Sequence, residues 1–223
     1  MQFVKTQDLK EGMRLARPIY SKQGVLLFDR DSGLSRQAIN SVKNFGLLGV
    51  YILEPAEPLP PLTDEDMEFE SFQTMVVSLL EEELEKIRQT SRIHKMQSIV
   101  SMIIKKYGHL DKKVYFYQNL RSRTDFVYKH SLNVAILCTM ISHVMNISLQ
   151  EQVNTVSAAL VHDIGKLDVY SMLGENMNVH PDKLWDAQFL GGSMIEGALL
   201  DRISVRRICY QAARVQYEEK KKK

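Results

Sequence analysis

Cysteine is scarce: the chain has two, Cys138 and Cys209. Both lie in apolar helical contexts and read as reduced core residues, which excludes a disulfide framework or a zinc knuckle. No run of eighteen apolar residues occurs, so a transmembrane helix is not expected. The opening Met1-Gln2-Phe3-Val4-Lys5 lacks a signal-peptide pattern. Together these point to a cytoplasmic protein. An excess of charge of one sign is also missing: the net charge is +2, which gives no general case for DNA or membrane binding. Lys220 to Lys223 read as a solvated tail. Proline is rare except at Glu54–Pro61, where four of the six prolines fall within eight residues and predict an extended, semi-rigid linker. What remains is ample for a core, with 44% hydrophobic and 25% charged residues. A length of 223 residues suits one large domain plus a small one.

The proline stretch separates the two. Residues 1–54 read as a small mixed α/β module: a strand over Leu15 to Tyr20, a turn at Ser21 to Gly24, and a second strand from Val25 to Phe28. A helix capped by Ser35 follows, with Ile39, Val42 and Phe45 inward, then a strand from Val50 to Leu53. Residues 55–66 form the linker and end at Thr63 and Asp66, a capping-box pair. Residues 67–223 read as helical. Phe69, Phe72, Val76, Leu79 and Leu80 begin a stripe that Leu84, Ile87, Ile93, Met96, Ile99, Val100 and Ile103 continue in one or two segments, with Gly108 as its end. Glu81, Glu82, Glu83 and Glu85 are expected on the solvated face. His94 and His109 carry no assigned role, and His143, off the His130 face, reads as a surface or partly packed residue.

Residues 149–168 hold the chemistry. Ser148 with Glu151 predicts a helix start, and Leu149, Val153, Val156 and Leu160 form an apolar stripe whose next position is Asp163. A carboxylate in line with a core-facing stripe needs a cation or metal to meet it. His162 stands beside it, Gly165 allows a turn or close approach, and Lys166 brings positive charge. Upstream, Val127, His130, Val134, Leu137 and Ile141 predict a second buried face that includes His130. A lone His130 would be read as a hydrogen-bonded core residue. With His162 and Asp163 it makes a candidate divalent-metal site between two helices.

Residues Thr124 to Val134 and Val161-His162-Asp163-Ile164-Gly165-Lys166-Leu167 resemble the opening half of an HD-GYP domain, over roughly residues 115–168. The resemblance implies a mainly α fold: a helical HD-type domain behind the small α/β module, in a bacterial protein. It implies a metal phosphohydrolase acting on cyclic di-GMP, with iron, manganese or magnesium held by His130, His162 and Asp163. Asp163 and Lys166 would be catalytic, Lys166 by neutralising phosphate charge. Candidate partners are a cyclic dinucleotide, a second copy of the chain or a signalling protein.

The later half departs from the pattern. Ser193 stands at the third-histidine position, Ala212 and Ala213 stand where a histidine pair is expected, no Gly-Tyr-Pro follows, and no final aspartate is found. Alanine has no donor atom and serine is a poor ligand for such metals. His180 is a loop candidate for substitution, Asp168 reads as a cap or surface residue, and Trp185 as packed rather than stacked on a purine. Two functions therefore stand: a phosphodiesterase with weak or lost turnover, and a non-catalytic signalling or interaction module that keeps the helical fold.

Overall fold

Strand β1 (Gln2–Lys5) pairs antiparallel with β4 (Gly49–Ile52), and β2 (Ile19–Tyr20) pairs with β3 (Leu26–Phe28). Between β3 and β4 runs α1 (Arg36–Asn44), started by the Ser35 side chain, which accepts the Ala38 N–H. Leu9, Leu15, Ile19, Leu34, Ile39, Val42, Leu47, Val50 and Ile52 fill the space among these elements. Each fully buried aliphatic side chain contributes roughly 1.5–3 kcal/mol. Gly49 lies opposite Lys5, where a Cβ would strike the Val4 carbonyl and the Phe3 ring. Gly46 turns the chain after α1 at a φ of 71°, open to glycine at little cost. The expected strand over Leu15 to Tyr20 is shorter than its apolar run, because Leu15 makes only an isolated bridge to Ile52. β1 was not anticipated: four short residues, mostly exposed, give no alternation to read.

The computed structural model describes residues 1–55, 58–59, 61–109, 114, 116, 125–173 and 203–220. The expectations for His180, Trp185 and Ser193 lie outside the described residues. Two compact units emerge, one of Met1–Ser78 with Lys113–Phe126, the other of Leu79–Lys112 with Val127–Lys223. The first unit therefore takes in the start of α2 (Asp64–Thr90) as well as residues 1–54. Thr63 and Asp66 form the reciprocal cap at its start, at 3.0 and 3.1 Å. There Tyr20 donates to the Met67 carbonyl at 3.0 Å, and buried Arg17 pairs with buried Glu70.

In the second unit the long stripe is broken in two. α2 ends at Thr90, Ser91 takes a φ of 51°, and α3 (Met96–Tyr107) begins. Leu80, Leu84 and Ile87 of α2 and Met96, Ile99, Val100 and Ile103 of α3 are buried. Glu83 corrects its assignment to the solvated face. It is 1% exposed and its carboxylate accepts the N–H groups of His94, Lys95 and Met96 at 2.7, 2.9 and 3.2 Å. These are donors that the start of α3 leaves without helical partners. Among the described residues, α4 (Asp125–Val144), α5 (Leu149–Val161), α6 (Ile164–Leu173) and α7 (Ile203–Lys220) follow. α3 and α7 both pack on α5. The fold is mainly helical, as the residue pattern implies. Among the described residues no helix is long and apolar enough to cross a membrane.

Candidate metal centre

α5 starts where its sequence says: Ser148 accepts the Glu151 N–H at 3.3 Å, and Glu151 accepts the Ser148 N–H at 3.1 Å. Of the expected stripe, Val156 and Leu160 are fully buried but Leu149 is 67% exposed. The helix enters the core only after its first turn. It ends at Val161, His162 and Asp163 make a two-residue turn, and α6 resumes with the Lys166 N–H donating to the Asp163 carbonyl at 2.9 Å. Gly165 is buried in the first turn of α6. This break aims the Asp163 carboxylate inward, with its side chain 1% exposed.

α4 differs from expectation. Val127 is buried, but Leu137 and Ile141 are 46% and 56% exposed. The buried face runs instead through Tyr128, Ser131, Leu132, Ala135, Ile136, Thr139 and Ser142. α4 is apolar on most sides, so spacing alone fits two faces. Small side chains decide between them, because they allow close approach. Gln152 of α5 donates to the Thr139 carbonyl at 3.2 Å, and Thr139 bonds back to Ala135 at 2.8 Å. His130 consequently stands at the margin of the core, with its side chain 38% exposed.

The structure brings His130, His162, Asp163 and Lys166 together. His130 Nε2 lies 3.7 Å and His162 Nε2 3.5 Å from Asp163 Oδ2, with the two imidazole centroids 5.3 Å apart. One ligand atom from each of the three lies within 4.8 Å of the others. Two donors each about 2 Å from one ion are roughly 3–4 Å apart, so the spacing suits a shared cation. The donor chemistry fits too. His162 Nδ1 is 2.7 Å from the Ala159 carbonyl, which can only accept. Nδ1 is thereby the donor in that bond, and Nε2 is the nitrogen that faces Asp163. Burial holds the His130 pKa below its usual value, against the pull of Asp163, which favours a neutral ring able to ligate. Lone pairs of two imidazoles and a carboxylate thus converge. Lys166 Nζ meets Asp163 Oδ2 at 2.6 Å and supplies positive charge at that oxygen.

Some neighbours of this centre went unread in the sequence. Tyr170 shares a face of α6 with Lys166, four residues earlier, and is half-buried. Burial first, then the Asp163 charge, pushes its phenol pKa up. Asp168 is no cap or free surface group. It pairs with Arg88, whose Nε donates at 2.8 Å, and Arg88 Nη1 reaches Glu85 at 2.5 Å. Glu85, with 39% of its side chain exposed, in turn accepts the Tyr128 hydroxyl at 3.1 Å, a tie that its reading as a solvated residue did not include. Long-range ion pairs leave no periodic trace. His109 and His143, given no role, meet edge-to-face with centroids 5.4 Å apart.

At the positions where the sequence lacks expected donors, α7 shows a packing face instead. Val205, Cys209 and Ala213 are buried at intervals of four, while Ala212 is exposed. Cys209 Sγ sits 3.6 Å from the Ala158 carbonyl of α5, and burial pushes its thiol pKa up to about 12. Such a thiol is unreactive, in keeping with the reading of Cys209 as a core residue.

Neither any curated protein nor any solved structure matches this chain. One family model does: residues 127–200, a stretch that includes His130, His162, Asp163 and Lys166, match the HD domain.

Proposed function

We propose that the second unit is an HD-type metal module of the phosphohydrolase kind, tied to cyclic di-GMP signalling, in which turnover is weak or lost. HD domains bind divalent metals, and the match over residues 127–200 supports that general class. The observation that carries the reading is the convergence of His130, His162 and Asp163, with one ligand atom of each within 4.8 Å of the others. These three side chains would hold one divalent ion, of the iron, manganese or magnesium type. Such an ion supplies Lewis acidity toward a phosphate oxygen. Lys166 adds positive charge beside Asp163, where a phosphodiester would arrive. The Ala159 carbonyl keeps the His162 ring in its ligating tautomer. The weak-turnover part rests on the sequence, where alanines stand at the expected histidine pair. Clamping both the attacking and the leaving oxygen takes a second ion, and Ala212 and Ala213 offer no atoms to bind one.

A second reading has its own support. The Lys166 ammonium lies 2.6 Å from Asp163 Oδ2, so an internal cation already meets the buried carboxylate. On that reading the domain is a non-catalytic signalling or interaction module that keeps the fold without an ion. Metal content of the purified chain, measured beside Asp163→Ala, separates the two. About one ion per chain, lost in the variant, supports the metal module; equal trace content in both supports the ion-free one. Incubation with cyclic di-GMP and its linear product, with magnesium, manganese or iron(II) supplied, then tests turnover. Hydrolysis on the order of 1 per second or faster, abolished by Asp163→Ala, would overturn the weak-turnover reading.

A further inference from the structure

α4, which carries His130, and α6, which starts directly after the turn of His162 and Asp163, are both tied to α2 by one polar network. Arg88 joins α2 to α6 through Asp168, and its neighbour Glu85 joins α2 to α4 through the Tyr128 hydroxyl. The Arg88–Glu85 contact at 2.5 Å links the two ties into one unit. Arg88 and Asp168 are well covered, with 18% and 25% of their side chains exposed. Tyr128 is buried, and burial followed by the Glu85 charge keeps its phenol protonated, so it serves as a donor. Tyr128 sits two residues before His130 on α4, and Asp168 five residues after Asp163 on α6.

From this arrangement we propose that Arg88 is a positioning residue for the His130, His162 and Asp163 centre, holding α4, which carries His130, and α6, which begins at the His162–Asp163 turn, so that the three donors meet at one ion. The inference rests on the metal reading given above. Its physical basis is the narrow tolerance of a metal site. Donors must lie about 2 Å from the ion, and a shift of either helix by roughly 0.5 Å or more degrades the constellation. Partners outside the ligand set command about 10–100-fold in metal affinity at comparable sites. Lysine at this position would keep the charge but lose the planar fork that reaches Asp168 and Glu85 together.

Cobalt(II) titration of the full chain, followed by its visible d–d absorption, tests this. The wild type should bind with an imidazole-containing spectrum. Arg88→Met should bind about ten-fold or more weakly with an altered band, and Arg88→Lys should recover part of both. Unchanged affinity and band in Arg88→Met, with only a lower melting temperature of the chelated protein, would make Arg88 a plain brace and overturn the proposal. Should circular dichroism show Arg88→Met unfolded, Asp168→Asn decides by the same two readouts. A wild type that binds no cobalt(II) overturns the metal reading itself, a result distinct from equal binding by wild type and variant.

Discussion

Two carboxylates in the second unit are equally buried, each 1% exposed, yet their surroundings are opposite. At the junction of α2 and α3, Glu83 accepts three backbone N–H groups that have no helical partner. At the junction of α5 and α6, Asp163 faces two imidazole nitrogens at 3.5 and 3.7 Å. His162 turns Nε2 toward it, and burial favours a neutral His130. Glu83 is thus met by backbone donors, whereas Asp163 stands beside two imidazole nitrogens and the Lys166 ammonium. A buried charge met by donors completes the fold; one met by lone pairs calls for a cation. Burial alone does not separate structure from site, whereas the sign of what surrounds the group does.

The sharpest way to break this contrast is Asp163→Asn. Volume is conserved and the charge is removed. Divalent-metal affinity should fall on the order of 100-fold or more, beyond what outer partners command. The metal-free protein should lose about 1–3 kcal/mol, because the Lys166 ammonium at 2.6 Å loses its carboxylate partner. Calorimetric titration and chelated melting curves measure the two. A variant that binds metal as wild type does would remove Asp163 from the site.

Glu83→Ala should behave in reverse. Three charge-assisted bonds and a helix cap disappear, at a cost of about 2–3 kcal/mol. Metal affinity of the folded fraction should be unchanged. Denaturant melts with and without chelator report both quantities, and a metal-selective loss would erase the distinction drawn here. Chelation of the wild type supplies the complementary test. An ion present at 100 times its dissociation constant stabilises the native state by about 2.7 kcal/mol. Loaded protein should therefore melt several degrees above chelated protein, and Glu83→Ala should keep that interval while Asp163→Asn loses it.

What could be read from the sequence follows from how each signal is encoded. Ser35, Ser148 with Glu151, and Thr63 with Asp66 are local devices, and each caps the helix its spacing indicates. The grouping of His130, His162 and Asp163 was legible because three chemically special residues interrupt otherwise apolar helices. The orientation of α4 was not. Its apolar residues surround the helix, and close packing at Ala135 and Thr139 chooses the buried face. The ties of Glu83, Glu85 and Asp168 went unread for a different reason. Their partners lie 11 to 80 residues away, apart from the local Glu85–Arg88 pair. A charged residue's sequence neighbourhood says little about a partner brought in by the fold.

The smallest expected effect concerns protonation of His130. Burial holds its pKa below the usual 6.5, with His162 and Lys166 acting in the same direction and Asp163 opposing. The unfolded chain therefore takes up this proton before the folded one does. Native stability of the chelated protein should be level above the unfolded-state value and should decline as pH falls from about 6.5 through the lower folded value. Bound metal needs the same neutral imidazole, so apparent metal affinity should decline over the same window. His130→Gln removes the titrating group while leaving a polar side chain of similar reach. Melting temperatures of chelated wild type and His130→Gln, compared from about pH 7.5 down to about pH 5.5, should converge as pH falls, because only the wild type loses this increment. Curves that stay parallel across that range would mean His130 is solvated like an ordinary surface histidine, and its place in the lone-pair cluster would have to be given up.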